Sequence, residues 1–180
     1  AGRGDETAMP SGRDFIVATR AAAREAGIRL FDVRDPQQGI VHVISPELGI
    51  ALPGSTVVCP DSHTCTLGGL GALAWGIGST EAEHAMATGT LRVRKPRSLR
   101  VTFDGELAPG VTAKDMILHL IGREGAGGGA GHAVEFAGNA VRALSVEARM
   151  TLCNMAVEFS AFTGFVAPDA TAAAYVEGRE

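Results

Sequence analysis

No apolar run in these 180 residues approaches the roughly 20 that a bilayer-spanning helix needs, which excludes a transmembrane helix. Cysteine is scarce. Three cannot build a disulfide framework, so a reducing compartment such as the cytoplasm is expected. Positive charge is scarce too. The net charge of -4 argues against a general nucleic-acid binder. Aromatics make up only 5% of the chain. What is abundant is glycine, 24 residues, about twice the usual share of roughly 7%. The backbone must therefore approach itself or a ligand closely in several places. The 46% apolar and 20% charged residues are the mix of a soluble globular domain. The polar opening stretch has no signal-peptide core, and neither end looks like a domain cap, so a segment of a longer chain is expected.

Hydrophobic periodicity and turn residues predict the elements. Ser11 and Asp14 suggest a cap for a helix that Gly27 ends. RLFDV at 29–33 and IVHVIS at 40–45 read as strands, and STVVC at 55–59 as a strand buried on both faces. DSHTCTLGGLG then reads as a loop and ALAWGIGSTEAEHAMATGTL as helix-like. After Lys95-Pro96, SLRVTFDGELAPG alternates like a hairpin turning at Asp104-Gly105. Thr112 with Asp115 caps a helix, HAVEFAG is a strand, and Ser145 starts a long helix, VEARMTLCNMAVEFSAFT. Alternating strands and helices predict an α/β fold with a parallel sheet, in two regions, 1–95 and 96–180.

Several chemical readings fail on spacing. GAGGGA at 125–130 follows a helix-like run, and GLGALA at 69–74 lacks the later acid that ribose binding requires, so neither is a dinucleotide loop. Cys59 and Cys65 around His63 match no zinc spacing. RVRKPR at 92–97 reads as a solvated linker.

Asp61-Ser62-His63-Thr64 stands out, because it follows strand 55–59, where α/β sheets bind ligands. The plain alternative is that Asp61 and Ser62 cap a turn and His63 is solvated. His42, in an apolar strand, is either a core histidine or a partner of Asp61 from a neighbouring strand. A carboxylate would hold its imidazole in one orientation and suit it to proton transfer. Asn154 and Glu158 lie four apart on the long helix, hence on one face. A carboxylate on so apolar a segment is costly unless paired. Glu158 is therefore at a wet edge or has a cationic partner, for which His63 is a candidate.

QGIVHVISPELGIALPGSTVVCPDSHTCTLGGLGALAWGIG resembles the aconitase superfamily, and its isopropylmalate-dehydrating branch in particular. GVTAKDMILHLIG, GGAGHAVEFAG, ALSVEARMTLCNMAVE and APD with YVEGR continue the resemblance in order from about residue 12. The resemblance implies an incomplete piece of a three-layer α/β/α fold with a parallel sheet. It implies a hydro-lyase that moves water between neighbouring carbons of a hydroxy acid. It implies a [4Fe-4S] cluster that acts as Lewis acid in the complete protein. By motif, His42 would pair with Asp61 and His63 with Glu158, Ser62 would contact substrate, and Asn154 would hydrogen-bond near the cluster. Cys59, Cys65 and Cys153 do not occupy the family's ligand motifs, so the cluster's cysteines are expected outside this chain. An upstream Asp-His pair and the swivelling domain, a separate small subunit in the isopropylmalate branch, are likewise expected from elsewhere. The segment alone is then expected to be inactive. Conversion of 2-isopropylmalate is the leading expectation; Pro60, Gly89 and EFSAFTG depart from that branch, so 2-methylmalate, dimethylmalate and homoaconitate are alternatives, as is a non-catalytic module of the same fold.

Overall fold

The structure, a computed structural model, describes residues 9–179. The polar stretch that opens the chain lies, through residue 8, outside the described residues. Two compact units divide at Ile40, Ala1–Ile40 and Val41–Glu180.

The first unit is built on α1 (Gly12–Ala26), which ends where Gly27 takes a left-handed φ of 66°. Ser11 flanks it without a side-chain capping bond. RLFDV is not a strand. It has no pairing partner among the described residues, and Asp32 instead receives a 2.6 Å hydrogen bond from the Arg20 guanidinium on α1.

In the second unit, IVHVIS is not a strand either. Val41–Glu47 forms a helix, α2. Ser45 and Pro46 are buried and Val43 is exposed, which is helical rather than alternating burial. Tertiary packing has overridden the β-branched preference of Val-His-Val-Ile. β1 (Thr56–Cys59) pairs in parallel with β2 (Leu73–Gly76), so ALAWG is strand where a helix was expected. The period-2 signal is there in buried Ala72 and Ala74 around exposed Leu73. DSHTCTLGGL is no plain loop, because Ser62–Leu70 forms a 3₁₀ segment that serves as the crossover between the two strands. α3 (Ser79–Thr88) comes next and ends at Gly89, φ 65°.

β3 (Arg97–Thr102), β4 (His132–Ala137) and β5 (Thr163–Phe165) form a second parallel sheet in that order. The expected hairpin at Asp104-Gly105 does not form, because β3 pairs with β4. The turn instead binds the start of the short helix after β4, with the Gly105 amide donating to the Asn139 side chain at 2.8 Å. α4 (Ala113–Glu124) crosses between β3 and β4 and carries the expected capping box, with Asp115 accepting from the Thr112 amide and hydroxyl. α5 (Asn139–Arg142) and α6 (Val146–Asn154) cross to β5, and α7 (Ala170–Val176) closes the described chain. α6 is capped by Ser145 as expected but stops at Asn154. The chain then turns through Ser160, φ 61°, into β5. Glu158 is therefore on a turn and does not share a helix face with Asn154. The α/β class with parallel strands holds, in two small sheets where one was expected.

The glycines allow backbone to approach backbone. A Cβ on Gly69 would stand 2.5 Å from the Met150 amide nitrogen, and one on Gly68 would overlap the Gly164 carbonyl. This seats the 3₁₀ segment directly on α6 and β5. Ile117, Val134, Phe136, Val141, Leu152 and Phe159 form the main core, fully or almost fully buried. Each such side chain contributes about 1.5–3 kcal/mol by leaving water.

Candidate active site

The site begins where β1 ends. Asp61 is extended and its carboxylate caps the 3₁₀ segment, accepting the His63 backbone N–H at Oδ1, 2.8 Å. Gly76 on β2 makes room for this turn, since a Cβ there would lie 2.5 Å from the Asp61 carbonyl oxygen. The same Oδ1 lies 3.1 Å from Nε2 of His42, one residue into α2. The His63 amide, with the His42 imidazole behind it, holds the Asp61 carboxyl below the ordinary aspartate range. An ionised carboxylate only accepts, so His42 Nε2 carries the proton. His42 is only 10% exposed, and its Nδ1 is buried without a hydrogen-bond partner among the described residues.

His63 makes the second pair. Its Nε2 lies 2.9 Å from Oε1 of Glu158, on the turn after α6. Its Nδ1 lies 3.0 Å from the Ser62 hydroxyl. Glu158, His63 and Ser62 thus form a carboxylate–imidazole–hydroxyl line at the protein surface. Asn154 enters through Thr66: its Nδ2 donates to Thr66 Oγ1 at 2.9 Å, and that hydroxyl donates to the His63 carbonyl at 2.6 Å.

All six residues singled out in the sequence lie in one connected network, and Thr66 is the member that sequence reasoning missed. Its signal was positional: in the 3₁₀ segment, Thr64 and Thr66 each bond back three residues, to the Asp61 and His63 carbonyls. Also missed was a structural pair. Arg149, fully buried, donates twice to Asp169 at 2.8 Å and once to the Arg142 carbonyl. Asp169 in turn caps α7, and the Arg149 hydrogen bonds hold its carboxyl below the ordinary range. A cavity of about 380 Å³ opens beside the network, lined by Ser62 and Cys65 with Pro60, Ile77, Val157 and Phe162 among its apolar walls.

The thiols do not fit a cluster. No three His, Cys, Asp or Glu side chains converge as a metal site among the described residues. Burial pushes the Cys65 thiol up to about 12 and Cys153 well above its usual value, so neither is a thiolate at neutral pH. Cys59 is raised for the same reason.

Parallel α/β topology with paired histidines outside a strand's carboxyl end fits the comparison by family: the model of the aconitase family (aconitate hydratase) matches residues 6–180, and the chain belongs to that family. Among curated proteins it is 56% identical over 171 residues to "3-isopropylmalate dehydratase large subunit 1" of Bradyrhizobium diazoefficiens. That match covers 95% of this chain and 36% of the relative, so the chain spans about a third of the relative's length.

Proposed function

We propose that this chain supplies the histidine–carboxylate part of a hydro-lyase that isomerises a hydroxy dicarboxylic acid. The proposed reaction is conversion of 2-isopropylmalate to 3-isopropylmalate, as in leucine biosynthesis. The observation that carries the reading is that each imidazole meets its own carboxylate, His42 with Asp61 and His63 with Glu158, while Asp61 Oδ1 also accepts the His63 backbone N–H and so ties the two pairs together. Dehydration needs a proton delivered to a departing hydroxyl and one removed from the neighbouring carbon, and hydration reverses both. The His63 imidazole, fixed at Nε2 by Glu158, keeps Nδ1 for that work, whereas the buried His42 holds Asp61 from behind. His63 points its Nδ1 at Ser62, which also lines the cavity, so Ser62 is the proposed substrate contact.

A [4Fe-4S] cluster is the proposed cofactor of the complete protein; Cys59, Cys65 and Cys153 do not occupy the family's ligand motifs, so its cysteines are proposed to come from outside this chain. The small subunit with the swivelling domain is the proposed partner, and the cytoplasm the proposed location. Similarity to the Bradyrhizobium large subunit supports the isopropylmalate reading. Of the sequence departures from that branch, Gly89 has a structural role as the left-handed cap of α3.

The test is to assemble the complete protein with its small subunit and cluster under anaerobic conditions. Near-ultraviolet absorbance of the unsaturated intermediate is followed with 2-isopropylmalate, 2-methylmalate, dimethylmalate and homoaconitate. Turnover of 2-isopropylmalate that is lost in His63→Ala, with folding kept, supports the reading. Turnover by His63→Ala at the parent rate refutes it.

A further inference from the structure

Thr66 is 7% exposed and lies three residues after His63. Its single proton goes to the His63 carbonyl at 2.6 Å, and its oxygen accepts from Asn154 Nδ2 at 2.9 Å. Asn154 ends α6, and Glu158 lies on the turn that the helix leads into. One hydroxyl therefore spans the backbone that carries His63 and the helix end that leads to its carboxylate. The neighbouring Cys65 thiol adds a weaker stitch to the Asn154 carbonyl at 3.6 Å. Thr64 bonds back to the Asp61 carbonyl in the same manner as Thr66, but no hydrogen bond joins it to α6.

The His63 and Glu158 side chains are 34% and 44% exposed. An ion pair so open to water does little to hold its own geometry. The Thr66–Asn154 bond is part-buried, with Thr66 itself buried, and hydrogen bonds withdrawn from water are stronger than exposed ones. We propose that Thr66 is a positioning residue that sets the His63–Glu158 separation. It acts through His63 and Asn154. Its effect on turnover rests on His63 being the proton-transfer group, whereas its effect on geometry does not.

The experiment uses the complete enzyme. Thr66→Val keeps the side-chain shape and removes both hydrogen bonds, and Thr66→Ser restores the hydroxyl. In Thr66→Val the crystal structure should show the His63–Glu158 contact opened beyond hydrogen-bonding distance. Its kcat should fall about tenfold or more with KM within about twofold, because small misplacements of catalytic groups are costly. Thr66→Ser should recover both. A His63–Glu158 pair left at its parent separation in Thr66→Val overturns the proposal, whatever the turnover. An opened pair with unchanged kcat upholds the positioning role and counts instead against His63 as the proton-transfer group. Should Thr66→Val fail to fold, Thr66→Ala is read by the same two measurements.

Discussion

Nε2 of His63 and Oε1 of Glu158 meet at 2.9 Å although 95 positions separate them in the chain. The contact exists because Gly68 and Gly69 let the 3₁₀ segment lie against the backbone of β5 and α6. Gly69, which opens the stretch that resembles a nucleotide loop in the sequence, thus works with Gly68 to bring two halves of a site together.

Gly76 should be intolerant of a side chain. In Gly76→Ala the Cβ would stand 2.5 Å from the Asp61 carbonyl oxygen and 2.9 Å from the Ser62 Cα. The turn must shift, with an expected stability loss of about 1–3 kcal/mol and loss of the His42–Asp61 contact. Chemical denaturation and a crystal structure of the variant check both, and parent stability with an unmoved turn contradicts the account.

Arg149 and Asp169 should be structural. Removing one partner of a buried pair strands the other, so Asp169→Ala should cost about 3 kcal/mol, the low end for such losses because Asp169 is 33% exposed. It also removes the cap of α7. Equilibrium denaturation should show the loss, and a change under about 0.5 kcal/mol would contradict it.

Acid should weaken the fold in a defined window. Asp61 and Asp169 are both held below the ordinary aspartate value when folded. Their contribution is whole above the unfolded value of about 3.9 and is lost as pH falls through the folded values. Stability from these groups should be flat from pH 7 to about 5 and fall below about 4. Asp169→Asn should flatten that fall, as followed by thermal melts across pH. An unchanged acid slope in Asp169→Asn would be inconsistent with the pairing.

Thiol labelling should be graded. Cys153, fully buried, and Cys65, at about 12, should resist iodoacetamide at neutral pH in the folded chain, while half-buried Cys59 reacts slowly. Mass spectrometry after timed labelling reads this directly. Rapid modification of Cys65 would contradict its burial.

The sequence carried the site better than the fold around it. His42 was expected near Asp61 by way of two adjacent strands, yet it reaches Asp61 from a helix. The β-branched run at 40–45 masked a helical burial pattern that only tertiary packing reveals. Glu158, on an apolar segment, is expected either at a wet edge or with a cationic partner, and its side chain is 44% exposed. It meets His63, but from a turn, since Ser160 reverses the chain after α6 ends. The Asp104-Gly105 turn is a strong local hairpin signal, but pairing of β3 with β4 prevails over it. The Thr112–Asp115 and Ser145 caps were legible because capping chemistry is local. Arg149 with Asp169 was not, because nothing in the spacing of two distant charges announces a buried pair.

The most direct measurement compares turnover of Glu158→Gln and Asp61→Asn with the parent in the assembled enzyme. Each variant keeps the shape of the side chain and removes the carboxylate behind one imidazole. The expected result is a fall in kcat of about a hundredfold or more in both, because an imidazole without its carboxylate loses the orientation and tautomer that proton transfer needs, with circular dichroism unchanged. Two folded variants that turn over within twofold of the parent would contradict it.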